Sequence, residues 1–320
     1  CGWLSRGLGD VYKRQVRGTV GNFEVDLAGP EGPEQIRVGA IVLATGAKPY
    51  DPAGQLGYGA MRNVLSSVDL EQRLHDPDDR LFGSGGELPA DAVFVQCVGS
   101  RCEEEGCNPG CSRYCCIATI RQALALAERG VRVTVFHRDI RAAGAGREEL
   151  YRQARGAGVL FVRMDDAVEP EVLGTKTRAK KVVVMDATLQ RPVAAQADLV
   201  VLAVGMVPDT EVVAHLREVL KVPVGTDGFF LERHPELSPV ETVVDGVLVC
   251  GTAVGAKGLM DALAEAGAAA GKAAQLLVRD TLNLEPTVAA VDPWLCRGCG
   301  VCVDMCEFHA PTLTPGELGA

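Results

Sequence analysis

A chain of 320 residues has room for about two domains, and 47% hydrophobic with 23% charged side chains is an ordinary balance for a protein that buries a core. The formal net charge of -10, with no Lys/Arg block, argues against the clustered positive surface that phosphate neutralisation requires, so no nucleic-acid partner is expected. No uninterrupted apolar run approaches the length of a membrane span and no usable signal peptide is present, which points to a cytoplasmic chain.

Residues 1–15, ending in GDVYKRQ, fit nothing downstream and resemble translated adapter sequence, so they are set aside from fold reasoning. Residues 17–46 alternate apolar and polar positions (Val20, Phe23, Val25, then Ile36, Val38) around a turn at 29–34 and end in an apolar run into Ala44-Thr45-Gly46. That pattern predicts a small antiparallel excursion followed by a buried strand. A short helix is expected over 64–74 and a polar link over 76–90. A second unit opens with a buried strand at 92–96, a cysteine-rich loop, a helix at 116–129 and a strand at 131–137, the order of a parallel sheet with a crossover helix. A helix at 150–157 and strands at 159–162, 181–185 and 197–204 come next, the last closing at Gly205-Met206-Val207-Pro208. A helix near 209–219, a strand at 246–250, a glycine turn (Gly251, Gly255, Gly258) and an Ala-rich helix over 259–278 complete this part. The segment from Asp292 is too short to build a core without a metal or cluster.

The cysteines are grouped, which points to metal rather than a disulfide scaffold: six fall at Cys97, Cys102, Cys107, Cys111, Cys115 and Cys116, and four at Cys296, Cys299, Cys302 and Cys306. Cys296-x2-Cys299-x2-Cys302-x3-Cys306 has the spacing of a bacterial ferredoxin run, although Glu307 stands where proline usually follows. Cys306 either completes that cluster or reaches one built by another chain, and a zinc knuckle is the alternative. The first group occupies the strand-to-helix turn where a dinucleotide fold carries its glycine fingerprint. Without those glycines a pyrophosphate cradle is not expected there, and NAD(P)H is not expected to reduce the chain directly. Thiolates at a helix N-terminus are stabilised by its dipole, so a second iron–sulfur site fits better. Cys102 and Cys107, in an acidic loop, are either inert thiols or have a role in the loop itself.

Ala44-Thr45-Gly46 and Ala203-Val204-Gly205 close buried strands in the manner of the crossing turns of flavoprotein disulfide reductases, and Gly251-Thr252 follows a third strand before a helix. Backbone N–H groups at that helix start suit the pyrimidine edge of a flavin. Lys257 on the same turn is either a cation beside the flavin or a solvated loop lysine. His137 and Arg138 occupy the region where a nucleotide ribose is usually read, and otherwise read as a solvated strand end.

The stretch from Phe94 to Arg163, with QCVGSR, CSRYCC, HRDIR and YRQARGAGVLFVR, resembles the A subunit of heterodisulfide reductase, and so do GFFLERHPELSPVET (228–242) and GVLVCGTAVGAKGLMDALAEAGAAAGKAA (246–274). The resemblance implies a thioredoxin-reductase-like α/β flavoprotein fold with a ferredoxin-like tail. It implies FAD near Thr45, Gly46, Gly251, Thr252 and Lys257, a 4Fe-4S cluster on Cys97, Cys111, Cys115 and Cys116, and a second on Cys296, Cys299, Cys302 and Cys306. The expected layout is an FAD-binding domain over 16–87 and 206–285, an inserted NAD-binding-like domain over 88–205 carrying the iron–sulfur loop, and a ferredoxin-like segment over 289–320. In this family a glycine-rich FAD strand precedes the part matched here, so the chain is expected to be an N-terminally truncated fragment that holds FAD weakly or not at all.

The function this implies is electron transfer between FAD, clusters and partner subunits. The expected partners are heterodisulfide reductase B- and C-like subunits, a hydrogenase or formate dehydrogenase type of enzyme, and ferredoxin. Two alternatives stay open: a bacterial homologue in a sulfur-metabolism or formate- or hydrogenase-linked complex, and an iron–sulfur adaptor without flavin.

Overall fold

The computed structural model describes residues 12–29, 32–75, 88–103, 106–278, 281–282, 289–306 and 311–313. The chain divides into two compact units, one of residues 1–47 and 208–320 and the other of residues 48–207. The polar link expected at 76–90 lies mostly outside the described residues, as do Glu307 and residues 1–11.

The first unit begins with an antiparallel sheet of β1 (Tyr12–Thr19), β2 (Asn22–Gly29) and β3 (Gly32–Val38). β1 therefore starts inside the segment set aside on sequence grounds, because ladder hydrogen bonds are made by the backbone and place few demands on residue type. β4 (Ile41–Leu43) follows.

The second unit carries β5 (Lys48–Pro49), β6 (Val64–Ser66), α1 (Ser67–Leu74), β7 (Asp91–Val98), α2 (Cys115–Ala127), β8 (Arg132–His137), α3 (Arg147–Gly156) and β9 (Leu160–Arg163). It continues through β10 (Glu171–Thr175), β11 (Arg178–Asp186), β12 (Arg191–Gln196), β13 (Leu199–Val204) and β14 (Met206–Val207). Five parallel strands run in the order β6-β13-β7-β8-β9. All six residues of β13 are buried, the mark of a strand covered on both faces. On one face Phe94, Val133, Val135, Leu199 and Val201 pack with Ile120, Ala123 and Leu126 of α2. On the other, Val93, Val95, Val200 and Leu202 pack with Ala179, Val182 and Val184 of β11, so the antiparallel sheet β10-β11-β12 covers the side that α2 does not. The alternation of Val93, Phe94 and Val95 between these faces follows from the two-residue period of a strand.

Two differences from the sequence expectation share one cause. Val64–Ser66 is a strand rather than the first turn of a helix, since Val64 pairs with Val200 of β13, and Ser66 then caps α1. β5 likewise pairs with β14, and the stretch from residue 48 clusters with the second unit, whereas the layout implied by the family resemblance placed an FAD-binding domain over 16–87. Both pairings join residues far apart in sequence, which local periodicity does not encode.

The first unit is completed by α4 (Thr210–Leu220), β15 (Val247–Val249), a single 3-10 turn at Gly251–Ala253, α5 (Leu259–Leu277) and α6 (Val301–Met305). β15 lies parallel to β4, and its Val247 and Val249 share a core with Ile41, Leu43, Phe23, Val213, Leu216 and Phe230. Among the described residues no helix is long and apolar enough to cross a membrane.

Candidate functional site

In the second unit, β7 delivers Gln96 and Cys97 to the mouth of the turn that leads to α2. Cys97 has φ +66°, a left-handed residue one position before the end of the strand. The turn is then filled by a loop with a hydrogen-bonded neck. Arg101 N–H donates to the carbonyls of Asn108 (2.8 Å) and Gly110 (3.0 Å), and Asn108 N–H donates to Gly99 O (3.1 Å). The Asn108 amide donates to Met206 O at 3.1 Å, and the Ser100 and Ser112 hydroxyls bond each other at 2.6 Å. A Cβ added at Gly205 would collide with Ser100 Oγ and Ser112 Oγ, so β13 hands over to β14 through a glycine because the neck is pressed against it. Cys102 and Cys107 are joined by a disulfide with Cα atoms 5.9 Å apart.

The helix end of the turn supplies Cys115 and Cys116, both buried in the first turn of α2. No side chain caps this helix. Burial, and secondarily the neighbouring Cys116, pushes the Cys97 thiol up to about 11, while Arg101 and Arg138 pull the other way. Burial also raises the thiols of Cys115, which feels Cys116, Cys97 and Cys111, and of Cys116, which feels Cys111. The four thiols are thus electrostatic neighbours, and burial keeps those of Cys97, Cys115 and Cys116 protonated until a cation stabilises their thiolates. Among the described residues no set of three or more His, Cys, Asp or Glu side chains stands in metal-binding geometry, so a cluster there needs the thiols to turn toward one another. Gln96 is 2% exposed and both ends of its amide lack a hydrogen-bond partner. A buried unpaired amide costs about 1–3 kcal/mol.

The end of β8 is not a solvated strand end. Arg138 is 16% exposed in its side chain, lies 3.7 Å from Asp166 and donates to Arg101 O at 3.0 Å. Arg101 in turn bonds Asp139 at 2.7 Å. β8 is an inner strand, so loops from both neighbours close over its end, and burial lowers the affinity of His137 for a proton.

In the first unit Thr45 and Gly46 follow β4, and Gly251 and Thr252 follow β15, so parallel pairing brings the two turns side by side. Thr45 Oγ1 is buried without a partner. Gly46 has φ +80°, and a Cβ there would meet only Thr252 Oγ1 at 3.8 Å. Lys257 is not solvated: it is 7% exposed, and its Nζ lies 2.6 and 2.7 Å from the two oxygens of Glu265. Glu265 also accepts from Gly251 N–H at 2.9 Å. Sequence reasoning missed Glu265. Its signal was an acidic residue on the inward stripe of α5 that also carries Ala262, Ala269 and Ala273.

In the tail Cys296, Cys299 and Cys302 are exposed and Cys306 is half-buried. Gly298 and Gly300 take positive φ (66° and 78°), the backbone that tight turns between closely spaced cysteines require.

No protein-family model matches the chain. The A subunit of the H(2):CoB-CoM heterodisulfide,ferredoxin reductase of Methanothermobacter marburgensis is 38% identical over 292 residues, covering 88% of this chain and 44% of that protein. The A subunit of the Ferredoxin:CoB-CoM heterodisulfide reductase of Methanosarcina acetivorans is 34% identical over 332 residues, covering 93% of this chain and 40% of that protein. This chain belongs to the family of heterodisulfide reductase A subunits. It spans less than half the length of these two relatives. In fold it is similar to the thioredoxin reductases of T. acidophilum and Lactococcus lactis, each with a TM-score of 0.51 at 17% identity, over 83% of this chain and 72% and 74% of theirs. The thioredoxin-reductase-like fold expected from the sequence resemblance is therefore the one observed.

Proposed function

We propose that this chain is the flavin and iron–sulfur electron-transfer part of a heterodisulfide-reductase-like complex. The observation that carries the reading is the turn between β7 and α2, where the end of the strand and the first turn of the helix bring Cys97, Cys111, Cys115 and Cys116 within electrostatic reach of one another. A 4Fe-4S cluster held there would face Arg101 and Arg138, whose charges favour the thiolates. A second 4Fe-4S cluster would be held by Cys296, Cys299, Cys302 and Cys306.

FAD would lie against Thr45, Gly46, Gly251 and Thr252, where it would supply the conversion between two-electron and one-electron transfer. Thr45 Oγ1 offers a hydrogen bond, and Gly46 keeps that turn open. The Lys257–Glu265 pair is nearly neutral as a unit, so the role of Lys257 toward a flavin is to fix the turn at Gly251 through the shared carboxylate rather than to present a bare positive charge.

The partners proposed are heterodisulfide reductase B- and C-like subunits, a hydrogenase- or formate-dehydrogenase-type enzyme, and ferredoxin, in the cytoplasm. Relatives whose names make them parts of H(2)- or ferredoxin-dependent heterodisulfide reductases support this. The test is anaerobic reconstitution with iron and sulfide followed by counting both per chain. Replacing Cys111 and Cys115 by serine is expected to remove about half of the iron, and replacing Cys299 and Cys302 the other half. Iron content unchanged by the first pair of substitutions overturns the loop cluster.

A further inference from the structure

Cys102 and Cys107 are outside both proposed ligand sets, and the structure pairs them in a disulfide that closes a short loop between Cys97 and Cys111. We propose that this pair is a reversible thiol–disulfide site, oxidised and reduced by exchange with dithiols while the rest of the cysteine loop stays folded.

The loop is held independently of its sulfurs. The neck bonds of Arg101 with Asn108 and Gly110, of Asn108 with Gly99, and of Ser100 with Ser112 lie on the inner side of the disulfide. They bring residues 101 and 108 together whether or not the sulfurs are joined. Met206 N–H donates to Ser112 Oγ at 2.9 Å and Asn108 reaches Met206 O, so the neck is also fastened to β14. A Cα separation of 5.9 Å lies within the range a disulfide spans without backbone movement. The two thiols are thus positioned to re-form their bond after reduction, with a closed loop so short that its entropy adds little. Both cysteines are half-buried rather than enclosed, and Glu103 and Gly106 beside them are exposed, so a small thiol has access.

In the exchange a thiolate of the dithiol attacks one sulfur of the pair, the S–S bond breaks, and the departing cysteine thiolate takes up a proton. The second thiol of the reductant then resolves the mixed disulfide, so two electrons and two protons pass from the dithiol to the pair.

Dithiothreitol is the probe, and the whole 320-residue chain is used anaerobically. Samples are alkylated in denaturant before reduction, after dithiothreitol, and after re-oxidation by glutathione disulfide, and each is read by peptide mass spectrometry. Trypsin releases residues 102–113, which hold Cys102, Cys107 and Cys111 on one peptide. Reduction is expected to add one alkyl group at each of Cys102 and Cys107, and re-oxidation to remove both, with unchanged circular dichroism. Alkylation of either residue before reduction, or adducts that persist after glutathione disulfide, overturns the proposal. In C102S, Cys107 is expected to alkylate without reductant; continued protection would mean a different partner and also overturns it.

Iron content separates the exchange site from the cluster assignment. The C102S/C107S variant is expected to keep all the iron the unaltered chain binds, and loss of iron would make these residues ligands and refute the exchange site. Retention of iron in the Cys111 and Cys115 variant would instead refute the loop cluster and leave the disulfide standing.

Discussion

Lys257 and Glu265 form a buried ion pair in which one ammonium meets both carboxylate oxygens, at 2.6 and 2.7 Å, while the same carboxylate accepts the N–H of Gly251. The lysine is 7% exposed and the glutamate 25%, so removing the acid strands a charge in a dry place. E265A is expected to lower unfolding free energy by about 2–4 kcal/mol, a little under the figure for a fully enclosed pair because Glu265 still touches water. The double substitution K257M/E265L should recover most of that loss. Urea unfolding of the unaltered chain and the two variants checks this, and a double variant as weak as E265A would contradict it.

Asp69 closes the capping box of α1. Its Oδ2 accepts from Ser66 N–H at 2.8 Å and from Tyr58 OH at 2.9 Å. Burial alone would raise its carboxyl, but the hydrogen bonds from Ser66 and Tyr58 outweigh that and hold it below the ordinary 3.8. A depressed carboxyl stabilises the fold above its unfolded value, and that contribution is lost as pH falls through the folded value. S66A is expected to cost about 1 kcal/mol at neutral pH. D69N should destabilise at pH 6 and close the gap to the unaltered protein as pH is taken below 3.8. Denaturant midpoints across that range provide the measurement.

Gly205 has no room for a methyl group, since the hydroxyls of Ser100 and Ser112 already fill the space. G205A is expected to cost about 1–3 kcal/mol and to reduce iron retained by the cysteine loop, leaving iron in the tail unaffected. Combining it with S100G should restore part of the stability. Iron counts in G205A made in a background lacking Cys299 and Cys302 isolate the loop.

The neck from Gly99 to Ser112 fills the turn between β7 and α2, where a dinucleotide pyrophosphate would otherwise reach backbone N–H groups. NADPH added anaerobically to the reconstituted chain is therefore expected to leave its absorbance unchanged for minutes without a partner protein. Rapid bleaching would show that the nucleotide enters by another route.

Much of the second unit is legible in local pattern. The short apolar run at 92–96 and the longer helical stretch at 116–129 announce a buried strand followed by a helix, because strand and helix signals are properties of a continuous stretch of chain. The grouping of cysteines, the closing turns at Thr45-Gly46 and Gly251-Thr252, and kinship with the heterodisulfide reductase A subunits are equally linear information. Tertiary structure alone decided which distant residues meet. It put Val64 beside Val200, gave Lys257 its carboxylate at Glu265, joined Cys102 to Cys107, and pressed Gly205 against Ser100 and Ser112. Each is a contact whose energy depends on burial and on a second partner, and no window of sequence contains either quantity.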